Sequence, residues 1–329
     1  MKTILVSGAS GIVGYGALRS LRAGADSGYK LIGTTIYEDS VAPAFCDIFE
    51  LAPMTDSGNY IDWLCRIVQK HQTDMIIPGI EADVLLWNKE RKRIEEAGAK
   101  PLLNEPDLIE LCSDKWKFYE KLCETDSKLL IESRLAGSFE ELKEHFGLPF
   151  LLKPRRGFAS QGIVTVDSED TFNRHQPKLG PLVMAQPIVG NNDQEFTVSA
   201  FFDQSSALLC HMGLKRKLSR EGFTEKAEVA SPRGIEDALT SLAASLKPVG
   251  PTNFQFRMHH EQLKLLEINP RISSATSIRT AFGYNESVMS VEYFLDHKIP
   301  VQTEILRGYA VRYVEDRVFY AIDSVRNTH

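Results

Sequence analysis

Apolar positions along the first hundred residues recur in two alternating periods. Residues 3–6, Thr-Ile-Leu-Val, form a short apolar run that Ser7 and Gly8 interrupt at once, so the opening reads as a first strand and not as a secretion signal. Residues 17–23 then carry apolar side chains at helical spacing, 30–37 read as a strand and 62–72 as a helix. Residues 74–79 form a short buried strand ending in a turn, and 82–97 a helix with a charged outer face. Strand and helix in turn predict a doubly wound α/β unit. Asn104, Glu105, Pro106 and Asp107 offer cap and helix-start residues, which sets a domain boundary near 105.

Beyond that boundary β-rich runs dominate, and three of them carry polar residues suited to one chemistry. In 148–166 two such runs flank a loop in which Gly157 and Gly162 let the backbone fold back and bring N–H groups to an anion. Lys153 ends the first run facing that loop, and Ser160 can donate a hydroxyl hydrogen bond. An ordinary glycine hairpin with a solvated lysine is the plain alternative. In 181–203 an apolar strand leads through a connector into a second strand that opens with Glu195; such a connector can hold an adenine by main-chain groups, with the carboxylate accepting from ribose hydroxyls. Alone, it is two strands and a loop. In 265–271 an apolar run ends with Glu267, Asn269 and Arg271 on alternate residues, so a strand would aim a carboxylate, an amide oxygen and a guanidinium to one face. That combination is a hard-cation site beside an anion clamp, or else a strand end facing solvent.

In this order and spacing the motifs resemble the ATP-grasp superfamily, in the branch of the carbamoyl phosphate synthase large subunit and biotin carboxylase. The resemblance covers nearly the whole chain. It implies a Rossmann-like preparatory domain (1–105), an ATP-grasp N-terminal subdomain with the glycine-rich phosphate loop (106–185), and an ATP-grasp C-terminal subdomain with the metal site (186–329), in an α/β chain whose two later parts form an α+β fold. It implies ATP as substrate, with Lys115 and Lys153 as nucleotide lysines, Gly157 to Gly162 as the mobile phosphate loop, Gln186, Pro187 and Val189 as the adenine hinge, and Glu195 as the ribose contact. Mg²⁺, at one or two positions that Mn²⁺ can also fill, would be held by Gln255, Glu267 and Asn269. Arg271 matches the arginine that follows the metal strand, and in the cationic stretch 211–225 one of Lys215, Arg216 and Lys217 would meet the terminal phosphate, Arg216 being favoured. Two positions depart from the pattern. The hinge opens with Gln186 where the family has Glu, and Pro187 offers only a carbonyl, which suffices to accept from the adenine amino group. Gln255 stands where an acidic ligand is usual and weakens one metal position.

Composition narrows the surroundings. With 43% hydrophobic and 25% charged residues the chain is an ordinary globular one, and 329 residues allow two or three packed units. A net charge of −6 argues against a nucleic-acid partner, and no run reaches the ~18 apolar residues of a membrane span. The five cysteines, at 46, 65, 112, 123 and 210, are odd in number and lack Cys-x-x-Cys pairs; they read as reduced thiols in a cytoplasmic protein. Glycines at 8, 11, 14 and 16, with Glu38 after the next strand, also fit an NAD loop of a nucleotide-sugar epimerase or short-chain dehydrogenase. None of the ten tyrosines has Lys four residues on, which that chemistry needs.

The function the resemblance implies is ATP-dependent ligation of a small-molecule carboxylate to an amine through an acyl phosphate, Arg271 and Arg216 stabilising charge; a non-catalytic ATP-binding protein is the other reading. Glu81 is a candidate substrate contact or a surface carboxylate, and Arg312 either meets a substrate carboxylate or makes a cross-strand ion pair. His259 and His260 are expected as exposed turn residues. A homodimer is left open.

Overall fold

The computed structural model of the chain describes residues 1–24, 28–125, 128–157, 161–219 and 222–320. The first part runs β1 (Thr3–Val6), α1 (Ile12–Ala23), β2 (Lys30–Thr35), β3 (Ile48–Leu51), α2 (Tyr60–His71), β4 (Met75–Ile77), α3 (Glu81–Lys89), α4 (Arg91–Glu96) and β5 (Lys100–Pro101). Its five strands are parallel in the order β3-β2-β1-β4-β5. The unbroken apolar run of β1 follows from burial on both faces: Ile4 and Val6 pack with Leu18 and Leu21 of α1, while Leu5 packs with Leu64 of α2 and Trp87 of α3.

Two expectations for this part need correction. Helix α1 starts at Ile12, not 17, so Gly14 and Gly16 lie inside it; a Cβ on Gly14 would run into the Gly8 carbonyl, and the glycine allows helix and loop to touch. The charged helix expected over 82–97 is two helices that break at Glu90, whose backbone (φ −103°, ψ 16°) leaves the helical region.

The middle part holds α5 (Pro106–Cys112), α6 (Lys115–Thr125), α7 (Phe139–Phe146), β6 (Phe150–Pro154), β7 (Val164–Val166), α8 (Glu169–His175) and β8 (Val183–Pro187). Its antiparallel sheet, β7-β6-β8, is backed by Phe139, Phe150 and Phe172. A capping box starts α7, with Ser138 and Glu141 each bonding the other's main-chain N–H.

The last part comprises β9 (Glu195–Phe202), β10 (Leu208–Leu218), β11 (Thr224–Val229), α9 (Ile235–Leu246), β12 (Gly250–His259), β13 (Gln262–Asn269), α10 (Thr276–Ala281), α11 (Glu286–Asp296) and β14 (Tyr309–Val311). The strands form an antiparallel sheet ordered β13-β12-β9-β10-β11-β14. Period two separates its faces. Val198, Ala200 and Phe202 of β9, with Phe254 and Phe256 of β12, pack on Leu239 and Leu242 of α9. Glu195, Thr197, Asn253 and Gln255 turn the other way and make a polar face. Beyond it α10 and α11 return to the parallel sheet, where Ile272 and Val291 join the core around Ile4. Packing around that sheet therefore draws on residues 272–295 as well as on the first hundred.

Candidate active site

Helix α6 and strand β6 carry the two expected lysines. Asp114, buried before the helix, accepts from Arg155 Nε at 3.2 Å, from Arg155 Nη2 at 2.9 Å, and from the Trp116 N–H at 3.0 Å. These bonds hold its carboxyl below the usual range despite burial, which acts to raise it. The main chain is tied too, Lys115 N–H donating to the Arg155 carbonyl at 2.8 Å. Lys115 is thereby aimed at the loop after β6, its Nζ 2.8 Å from the Gly157 carbonyl. Gly157 (φ +116°) and Gly162 (φ +73°) adopt backbone that side chains resist, the requirement read from the sequence. Ser160 lies outside the described residues.

Lys153 is buried at the end of β6 and donates to the Leu266 carbonyl of β13 at 3.0 Å. Burial pulls its pKa down to about 8, against the opposing pull of Glu267. Glu267 is displaced the other way: burial acts to raise its pKa, but Lys153, Lys115 and a hydrogen bond from Asn269 (3.2 Å) hold it below the ordinary carboxylate value. The hairpin of β12 and β13 sets Gln255 opposite Glu267 and Asn253 opposite Asn269. While the Asn253 oxygen is taken by Thr197 and Arg279, Glu267 and the amide oxygens of Gln255 and Asn269 thus stand on neighbouring strands. As hard donors they fit Mg²⁺, but with a single negative charge they fit it best when phosphate oxygens complete the shell.

Arg216 does not reach freely into this cleft. It is buried, with Nε and Nη2 on one oxygen of Glu195 (3.0 and 2.8 Å) and Nη2 also on Gln255 Oε1 (2.7 Å). Arg257 takes the other oxygen of Glu195, at 3.0 and 2.9 Å. Both oxygens of the expected ribose contact are therefore engaged by arginines. Gln186 Nε2 donates to Ser133 at 2.7 Å, leaving, among the described residues, the Pro187 carbonyl and the Val189 N–H as the open parts of the expected hinge.

The expected hinge is seated by Arg257, to which the sequence reading gave no role, and by His259, expected only as an exposed turn residue. Arg257 reaches Asn192 Oδ1 at 2.9 Å and the Val189 carbonyl at 3.4 Å. His259 is not a bare turn residue: its Nδ1 accepts the Gly190 N–H at 3.0 Å, so this nitrogen is unprotonated. Gly190 (φ +58°) sits where a Cβ would strike the Met258 carbonyl. The available signal was strand period: Arg257 and His259 lie two and four residues after Gln255.

The two substrate candidates part company. Glu81, at the start of α3, is no free surface carboxylate; it accepts from Arg271 Nε at 2.9 Å and links the parallel-sheet part to the end of β13. Arg312 makes no ion pair among the described residues, so of its two readings the cross-strand ion pair is not found: Nε donates to the Thr224 carbonyl at 2.7 Å and Nη2 to the Ser274 carbonyl. Nine expected residues line one cleft: Lys115, Lys153, Gly157, Gln186, Pro187, Val189, Glu195, Gln255 and Glu267. A larger groove of about 1130 Å³ beside 208–213 and 302–309 holds none of them.

A family model described as ATP-grasp in the biosynthetic pathway with Ter operon matches residues 186–317, the stretch holding the expected hinge, Glu195 and the expected metal ligands of β12 and β13. Over that stretch the chain is similar to ATP-grasp proteins. The chain is 24% identical over 243 residues to the carbamoyl phosphate synthase large chain of Methanosarcina mazei, a match covering 67% of the chain and 22% of that relative. It thus spans about a fifth of the length of such relatives. In fold it is similar to N5-carboxyaminoimidazole synthetase from Staphylococcus aureus, solved with ADP (TM-score 0.72, 17% identity, 93% of this chain and 80% of that one). It is also similar to biotin carboxylase from Campylobacter jejuni (TM-score 0.72, 18% identity, 94% and 74%). No described helix is long and apolar enough to cross a membrane.

Proposed function

We propose that the chain is an ATP- and Mg²⁺-dependent ligase that joins a small-molecule carboxylate to an amine through an acyl phosphate. The observation that carries this reading is the meeting of Lys153, on the three-stranded sheet, with Glu267 and its carbonyl neighbour Leu266, on the six-stranded one, with Lys115 at the mouth of the same cleft. Two ammonium groups beside a carboxylate suit the tail of a nucleoside triphosphate. Bound Mg²⁺, held by Glu267 and Asn269 with Gln255, supplies charge neutralisation at the β- and γ-phosphates. The chain does the rest by positioning. Lys115 and Lys153 offset phosphate charge, and the Pro187 carbonyl and Val189 N–H take the adenine edge. The substrate carboxylate attacks the γ-phosphorus in line, the bond to the β-phosphate oxygen breaks, and ADP leaves. The amine then displaces phosphate from the acyl carbon and loses a proton. Arg271, released from Glu81, faces the anion formed in between. Arg216 acts by fixing Glu195 and Gln255. Five free thiols agree with a cytoplasmic setting.

The test is ADP release across a matrix of carboxylates and amines. Lys153→Ala and Glu267→Ala should each abolish it while the protein stays folded; turnover at the wild-type rate in both would overturn the reading.

A further inference from the structure

Strand β14, the outermost of the six-stranded sheet, is paired on one side only. The Val229 N–H donates to the Gly308 carbonyl and the Arg312 N–H to the Glu225 carbonyl, each at 2.9 Å, so 308, 310 and 312 turn their main-chain groups toward β11. Strand geometry then points the N–H and C=O of Tyr309, Val311 and Tyr313 outward, and no described residue hydrogen-bonds to them. The side chains of these three share one face. Tyr309 is 78% exposed, Val311 52% and Tyr313 79%. An open edge flanked by bare aromatic and β-branched side chains is a template for another strand.

The sequence around the edge says which strand fits. Residues 307–315 are Arg-Gly-Tyr-Ala-Val-Arg-Tyr-Val-Glu. Counted outward from Val311 in both directions, Tyr309 answers Tyr313 and Arg307 answers Glu315. We propose that β14 pairs antiparallel with β14 of a second copy of this chain about a two-fold axis at Val311, joining the two six-stranded sheets into one. The contact is isologous, so each favourable pair occurs twice. Val311 exchanges N–H and C=O with its counterpart, Tyr309 lies against Tyr313 of the second copy, and Arg307 meets its Glu315. Slippage is opposed because a one-residue shift would set Arg307 against Val314 or against Asp316 and break the Arg307–Glu315 pairs.

Sedimentation equilibrium of the full chain over a concentration series tests this. Wild type should be a dimer. Val311→Pro removes only an outward N–H and leaves the ladder to β11 intact, so it should give a monomer. Arg307→Glu opposes like charges at two symmetric places and should raise the dimer dissociation constant about tenfold; adding Glu315→Arg should restore it. Being surface changes, these two variants read the contact without risk to the fold. A wild-type chain that stays monomeric overturns the proposal. A dimer indifferent to both Val311→Pro and Arg307→Glu overturns it as well.

Discussion

Lys153 and Leu266 are joined across the gap between two sheets: the lysine ammonium, on β6, donates to the β13 carbonyl at 3.0 Å. The same bond brings a buried cation next to Glu267 without pairing it directly. A charge placed there, half-satisfied and desolvated, is poised for a more negative partner.

That gives the first prediction, on protons. Burial holds Lys153 near a pKa of about 8, below its ordinary 10.5. An arriving triphosphate favours the charged form, so binding at pH 8 should take up protons, and affinity should fall as pH rises through that value. Calorimetry in buffers of different ionisation enthalpy should detect the uptake in wild type and not in Lys153→Met. For the free protein the sign is opposite: the unfolded chain holds more protons between about 8 and 10.5, so this residue's contribution to stability increases with pH over that window.

Metal dependence follows from the donor set. With one carboxylate and two amides, the site should lose its divalent ion readily, and ADP release should vanish on chelation and return with Mg²⁺. Gln255→Glu adds a second negative charge beside Glu267 and should lower the Mg²⁺ concentration needed for half-maximal activity. A metal titration of activity checks both.

Arg271 and Glu81 separate binding from chemistry. If the arginine serves the acyl phosphate, Arg271→Ala should leave affinity for a non-hydrolysable ATP analogue unchanged while ADP release falls by about 10²–10³, as for loss of one charge-stabilising donor. Calorimetry and turnover, measured on one preparation, distinguish this from a place in the nucleotide shell.

His259 should make nucleotide affinity sensitive to acid. Burial, then His260 and Lys264, lower its pKa, and protonation removes the acceptor that seats Gly190. Below the histidine range wild-type affinity should drop. His259→Asn keeps an acceptor near the Nδ1 position and should flatten the profile, whereas His259→Ala should be weak at every pH. Fluorescence titration with a nucleotide analogue across pH 5–8 measures it.

The last expectation concerns stability. Arg279 and Glu286 are fully buried; the arginine also donates to Ser273 at 2.7 Å and to Thr197 and Asn253 at 3.0 Å each, and Ser199 bonds the glutamate. Glu286→Ala strands a buried guanidinium and should cost about 3–5 kcal/mol in chemical denaturation.

What the sequence determined by itself was everything that rests on local period and short spacing. Alternating strand and helix up to 101 announced the parallel sheet, Gly157 and Gly162 announced backbone only glycine takes easily, and the alternate spacing of Glu267 and Asn269 put both on one strand. Tertiary structure alone decided which partner each charge keeps. Glu81 meets Arg271 across 190 positions, Lys153 meets Leu266 across 113, and Arg216 is held by a carboxylate 21 residues earlier on the adjacent strand. No periodicity encodes such pairs, because they follow from how separately folded sheets dock and from the desolvation that forces each buried charge to find a partner.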